Sequence, residues 1–166
     1  DGGTTSQLLA LNIVIAVLEA LEHMHALNIL HRDVKDDNII ATDGARDVTL
    51  IDLGFCKGQG QPNDVQTVWN AGAARYSPPS KLEHAAGAHP THDVFAVGVV
   101  AYLLLTNQYP WDIADDEDAG VLRERMQTRK PIPVSVINTL VARELNEYIE
   151  TLISIDDAHR PTASAA

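Results

Sequence analysis

The sequence predicts a mainly α fold: a helical bundle around a central buried helix, with one small β-hairpin beside it. Three observations carry that expectation. Leu8 to Leu27 is long and mostly apolar, and among its polar residues Asn12, Glu19 and His23 fall on one stripe at spacings of seven and four. That pattern belongs to a largely buried helix. His92 to Tyr102 is apolar almost all round, which predicts a helix with no solvent-facing side. Between them lie two short apolar runs, Ile39-Ile40-Ala41 and Val48-Thr49-Leu50-Ile51, joined by six residues that include Asp43-Gly44. Such a pair predicts a hairpin.

The 166 residues suit one domain, and a hydrophobic content of 45% supplies a core. A formal net charge of −11 argues against nucleic acid and anionic membrane surfaces as partners. Basic peptides remain compatible with it. The single cysteine, Cys56, leaves no internal disulfide and suits a reducing compartment, so a cytoplasmic location is expected. Val94 to Leu105, interrupted only by Gly98, is among the longest apolar runs. It is too short to span a bilayer, and no membrane insertion is expected. Asp1-Gly2-Gly3-Thr4 opens the chain on a turn-like stretch without an initiator Met, the pattern of part of a longer protein.

Taken in order, the first helix is followed by an extended piece, Asn28 to Leu30. Next come the polar stretch 31–38 and the hairpin, which brings the Asn38 end and the Asp52 end side by side. Residues 52 to 80 have no periodicity and read as a long irregular loop of the kind that is usually functional. Asp93 is the expected N-cap of the central helix. Asn107 to Trp111 ends that helix, and Ile113 to Gly120 is an acidic loop. A short helix is expected around Val121 to Met126, and Pro131 and Pro133 then break the chain. Val141, Leu145, Tyr148 and Leu152 repeat at four, three and four, which predicts one more amphipathic helix. His23 and His25 have no carboxylate or cysteine cluster with them in sequence and are not read as metal ligands.

Certain residues stand in a telling order. His31-Arg32-Asp33-Val34-Lys35-Asp36-Asp37-Asn38 is followed, after the hairpin, by Asp52-Leu53-Gly54. Gly72-Ala73-Ala74-Arg75-Tyr76-Ser77-Pro78-Pro79-Ser80 comes next, and Arg160-Pro161-Thr162-Ala163 lies near the end. This series resembles the catalytic core of the eukaryotic-type protein kinases. The match covers nearly all of 1–166 but only the C-terminal lobe, so the resemblance implies an N-terminal kinase lobe as a missing partner. It further implies ATP and Mg2+ as cofactors and a protein substrate. Lys35, two residues after Asp33, resembles the serine/threonine branch.

Phosphoryl transfer explains why these residue types would stand together. It needs a carboxylate near the attacking hydroxyl, oxygen ligands for magnesium, and a cation to offset charge on the moving phosphoryl group. The resemblance gives Asp33 and Lys35 the catalytic roles of proton acceptor and γ-phosphate cation. It makes Asn38 and Asp52 the metal ligands, and it gives Asp93, besides capping, the role of bonding the backbone of the 31–38 loop. Thr4 would lie near the ribose, Asp37 in the nucleotide site, and Ile40 under the adenine. It also places the phosphate-accepting position near Thr67, opposite Arg32; the alternative for Thr67 is an ordinary polar loop residue.

The departures from the family pattern matter as much. Leu53 stands for the usual Phe, a mild change. Ala73 stands for a Thr that would bond Asp33 and Lys35. Ser80 stands for a Glu that would pair with Arg160, so Arg160 is expected to be exposed or paired with another acid such as Glu83 or Asp156. The glycine-rich loop and the strand lysine are absent from the sequence, so the lobe alone is expected to be inactive. The alternative function is a pseudokinase, a binding or scaffold module on the same fold.

Overall fold

The computed structural model describes residues 5–42, 44–58, 71–83, 87–114 and 117–166. The expectations for Thr4 and Thr67 fall outside the described residues. The first helix, α1 (Gln7–Ala26), is capped by the Ser6 side chain, which accepts from the Leu9 N–H. It buries Ala10, Ile13, Val14, Val17, Leu18 and Leu21, and that stripe packs along the central helix. By length and composition α1 could cross a membrane. The core helix of a soluble protein shares that property, and α1 packs on the central helix.

Strand β1 (Ile29–Leu30) leads into the polar stretch. A 3-10 turn over Asp36–Asn38 precedes β2 (Ile39–Thr42), and β3 (Asp47–Leu50) returns antiparallel to it. Ile39 faces Leu50 and Thr42 faces Asp47. The reversal uses left-handed backbone at Gly44 and Ala45, with φ of 68° and 60°, and only glycine adopts that conformation without strain. A second 3-10 turn, Leu53–Phe55, is followed by β4 (Lys57–Gly58), which pairs antiparallel with β1.

The segment expected to be irregular in fact contains α2 (Ala71–Ala74) and α3 (Pro79–Leu82). Each is a single turn, too short to show a 3.6-residue period in sequence. The central helix, α4 (Pro90–Thr106), is buried along nearly its whole length and ends at Asn107, with φ 55°. It starts earlier than expected. His89 is its N-cap and accepts from the Thr91 N–H, so Asp93 is not the cap but sits in the first turn with its carboxylate directed elsewhere.

The remaining helices are α5 (Ala119–Thr128), α6 (Val134–Ile137) and α7 (Arg143–Leu152). Asp118 caps α5 through bonds from the Gly120 and Val121 N–H groups. The amphipathic helix α7 begins after Val141, which is buried in the loop before it. It buries Asn146, Ile149 and Leu152 against α4.

The two helices meet at Gly98. A Cβ there would lie 2.7 Å from both Ile153 Cγ2 and Leu152 Cβ. Alanine is ordinarily the better helix former by about 1 kcal/mol, but overpacking of about 1–3 kcal/mol should dominate. Gly98→Ala is therefore expected to lower the melting temperature by several degrees. A rise in melting temperature would mean that this contact is looser than the geometry indicates.

Arg160 is buried, and its partner is neither Glu83 nor Asp156. The 3-10 turn Asp157–His159 folds Asp157 back, so its carboxylate accepts from the Arg160 guanidinium. The guanidinium also donates to the Thr91 carbonyl at 3.1 Å and lies over the Phe95 ring. Ser80 Oγ donates to the same Asp157 oxygen at 2.9 Å. Ser80 and Asp157 together thus supply what one longer acid would. Glu83 instead pairs with Arg123, and Asp156 with His159.

Candidate active site

The polar stretch 31–38 is held from below by one carboxylate. Asp93, on α4, is 2% exposed. Its Oδ1 accepts from the Arg32 N–H at 2.8 Å, and its Oδ2 accepts from the His31 N–H at 3.0 Å. His25 Nε2, at the end of α1, contacts Oδ2 at 2.9 Å. A buried carboxylate with this many donors stays ionised. Burial alone would raise its pKa. The hydrogen bonds from His25 and the Arg32 N–H, with the charges of Lys81 and His25, outweigh burial and hold it below the ordinary carboxylate range.

His31 is fully buried and ties the loop to the strand end that carries Asp52. Its Nδ1 accepts from the Asp33 N–H at 3.4 Å, so Nε2 carries the hydrogen and donates to the Ile51 carbonyl at 3.1 Å. The Ile51 N–H in turn donates to the Asn38 carbonyl at 2.9 Å. This places the Asn38 and Asp52 backbones on adjoining ends of the β2–β3 hairpin.

The functional side chains gather on this frame. Asp33 Oδ2 accepts from Asn38 Nδ2 at 2.9 Å and lies 3.1 Å from Lys35 Nζ. Asn38 Nδ2 also donates to the Asp33 carbonyl at 2.7 Å. Its nitrogen is thereby committed, which leaves Oδ1 as the acceptor atom of the buried amide. Asp52 adopts left-handed backbone with φ 67°, and its Oδ1 accepts from the Gly54 N–H. Arg32 is left-handed as well, with φ 71°. Such backbone costs about 1–3 kcal/mol per residue and persists where the surroundings enforce it.

An amide oxygen and a carboxylate on adjoining strand ends fit magnesium, a hard cation that takes one or two protein carboxylates and completes its shell with phosphate and water. Among the described residues no group of three or more His, Cys, Asp or Glu side chains is arranged to hold a metal ion.

The other expected positions lie on the rim. Asp37 is exposed in the turn before β2. Ile40 is 50% exposed, beside Leu53 at 61% and Phe55 at 60%. All three are large apolar side chains left open to solvent, on β2 and on the turn after Asp52.

Sequence reasoning missed several contributors. Tyr76 Oη donates to Asp36 Oδ1 at 2.5 Å and contacts Tyr109 Oη at 3.1 Å, fastening the segment after α2 to the loop. Burial, then the bonds to Asp36 and Tyr109, push the Tyr76 pKa up, so it remains a donor. Cys56 Sγ points at the His31 carbonyl from 3.9 Å; burial, then Asp93 and Asp52, raise its pKa. Lys81, on α3, is buried and donates to the Arg32 carbonyl at 2.8 Å. No local pattern marks any of these, since each is made by segments 20 or more residues apart.

Comparison with known proteins agrees with this geometry. A model of the protein kinase domain matches residues 2–166. Serine/threonine-protein kinase 1 of Orgyia pseudotsugata multicapsid polyhedrosis virus is 35% identical over 147 residues, 86% of this chain and 51% of that protein. Myosin light chain kinase A of Dictyostelium discoideum is 28% identical over 168 residues, 100% of this chain and 55% of that protein. Among solved structures, the Cydia pomonella granulovirus kinase PK-1 superposes with a TM-score of 0.80 at 26% identity, covering 96% of this chain and 56% of that one. The chain spans about half the length of these relatives.

Proposed function

Since the chain belongs to the protein kinase domain family, we propose that its site, in the full-length protein, transfers the γ-phosphoryl group of ATP to Ser or Thr hydroxyls of proteins. The observation that carries this is the joined set Asp33, Lys35 and Asn38, with Asp52 on the neighbouring strand end.

Each residue has a role set by its chemistry. Asp33 accepts the proton of the attacking hydroxyl. The hydroxyl oxygen bonds to the γ-phosphorus as the bond to the β–γ bridging oxygen breaks, and ADP leaves with that electron pair. Lys35 keeps a cation beside the Asp33 carboxylate and offsets charge on the phosphoryl oxygens. Asn38 Nδ2 fixes the Asp33 carboxylate. Asn38 Oδ1 and Asp52 would hold magnesium, which when bound offsets the charge of the ATP phosphates. Asp37 would lie in the nucleotide site, and Ile40 would floor the adenine. The apolar rim of Ile40, Leu53 and Phe55 suits cover by an N-terminal lobe. Residues 1–166 contain neither a glycine-rich phosphate loop nor its strand lysine, so activity is expected of the full-length protein only.

Asp52→Ala is expected to remove Mg2+-dependent nucleotide binding, whereas Asp47→Ala, in β3 on the far side of the hairpin, should leave it unchanged. Titration of a fluorescent ATP analogue with and without Mg2+ decides this. Equal losses in the two variants would discard Asp52 as a ligand. Ala73 favours a second reading: it puts a methyl group where a hydroxyl could have bonded Asp33. A pseudokinase would bind nucleotide in that titration yet transfer no phosphate.

A further inference from the structure

We propose that Lys81 is a positioning residue for Asp33, its buried amine holding the peptide group from which the Asp33 carboxylate projects. The proposal rests on the kinase reading above and adds to it a residue outside the catalytic motif.

The Arg32 carbonyl and the Asp33 N–H belong to one peptide group. Lys81 Nζ donates to the carbonyl end at 2.8 Å. The N–H end reaches His31 Nδ1 only at 3.4 Å, so the lysine makes the shorter of the two contacts. The preceding N–H, that of Arg32, is held by Asp93 Oδ1 at 2.8 Å. Arg32 is thus gripped on both sides in a left-handed conformation that a non-glycine residue keeps only under constraint. If the carbonyl grip were released, the peptide could rotate and swing Asp33.

The surroundings point the same way. Asp33, Ala73, Tyr76, Ser77 and Lys81 line one small cavity behind the loop. The Ala73 side chain brings no donor to that cavity, whereas Lys81 brings an amine. Facing Lys81 are Arg32 and Asp33 from the loop, His92 and Asp93 from α4, and Tyr76 from the segment before α3. Burial pushes the Lys81 pKa down to about 8; Asp93 and Asp33 pull it up, and Arg32 pushes it down. A lysine this buried is a poor choice for packing alone, since an apolar side chain of similar length would avoid the desolvation. Its presence on this wall is explained by what it holds.

Lys81→Met in the full-length protein separates positioning from packing. The expected result is a kcat lowered about ten- to a hundredfold, with the KM for ATP little changed and the melting temperature within a few degrees of wild type. Amide hydrogen exchange at Asp33 should be clearly faster. Because the folded-state lysine pKa is depressed, wild type should gain stability relative to Lys81→Met as pH rises from about 8 towards the ordinary lysine value near 10.4. An unchanged kcat with unchanged exchange at Asp33 overturns the proposal. So does a joint fall of kcat and melting temperature with exchange faster throughout the lobe, which is the mark of packing only. If Asp33→Asn transfers phosphate as well as wild type while Lys81→Met still speeds exchange at Asp33, the positioning stands and the kinase reading falls.

Discussion

Asp33→Asn in the full-length protein should lower phosphoryl transfer by about a hundred- to ten-thousandfold while leaving the protein folded and able to bind nucleotide. Removing a positioned proton acceptor costs rates of that order. The substitution keeps the size of the side chain and a carbonyl oxygen that can still accept from Asn38 Nδ2, which donates to Asp33 at 2.9 Å. It removes the negative charge, so Lys35, now 3.1 Å from the carboxylate, loses its ion-pair partner. That pair is partly exposed, and its loss should matter little for stability. Labelled ATP and a generic basic protein provide the assay. A variant that retains most of the wild-type rate would remove Asp33 from the proton-accepting role. A wild type that binds nucleotide and transfers nothing would move the assignment to the pseudokinase reading.

Asp93→Ala should have the largest effect on stability, about 3–5 kcal/mol. The carboxylate accepts from two backbone N–H groups and contacts His25. Its removal strands those donors in a buried site and takes away one of the two negative charges, Asp93 and Asp33, that act on Lys81. The pH dependence follows from the lowered Asp93 pKa. The folded state favours the ionised form, so the contribution is complete above the unfolded-state value of about 3.9. It is lost as pH falls through the lower folded-state value. Denaturant unfolding of wild type and Asp93→Ala should therefore show the full gap at pH 7 and a shrinking gap in strong acid. A loss within about 0.5 kcal/mol, the range of an ordinary surface substitution, would deny Asp93 its anchoring role.

The anchoring network also shows where sequence and tertiary structure part. The stretch from His31 to Asn38 and the residues after β3 were legible because they stand in the residue order of the protein kinase family, and a hairpin between them is a local device. The helices α1 and α4 were legible because a buried helix of 20 or 17 residues repeats its apolar pattern over several turns. One-turn elements such as α2 and α3 hold too few residues to repeat any pattern, so they were read as loop. Local grounds gave Asp93 a capping role and the family resemblance a loop-anchoring one; His89 caps α4, and Asp93 reaches back 61 and 62 residues to the loop.

Partner choice belonged to the tertiary structure. Arg160 needed an acid, and composition offered several. The 3-10 turn at Asp157–His159 selected Asp157, with Ser80 completing the set from 77 residues away. His92 lies 3.6 Å from that same carboxylate. Burial, with Lys81 and Arg160 nearby, pushes the His92 pKa down to about 3, so this contact is not an ion pair at neutral pH. By itself the sequence determined which chemical groups are available and in what order they meet the chain's local turns. The packing of α3 and α4 behind the loop decided which of them are buried, which are charged, and which direction Asp33 faces. The reason is physical: residue type and short-range spacing act within a few bonds, whereas burial and electrostatic environment exist only once distant segments exclude water together.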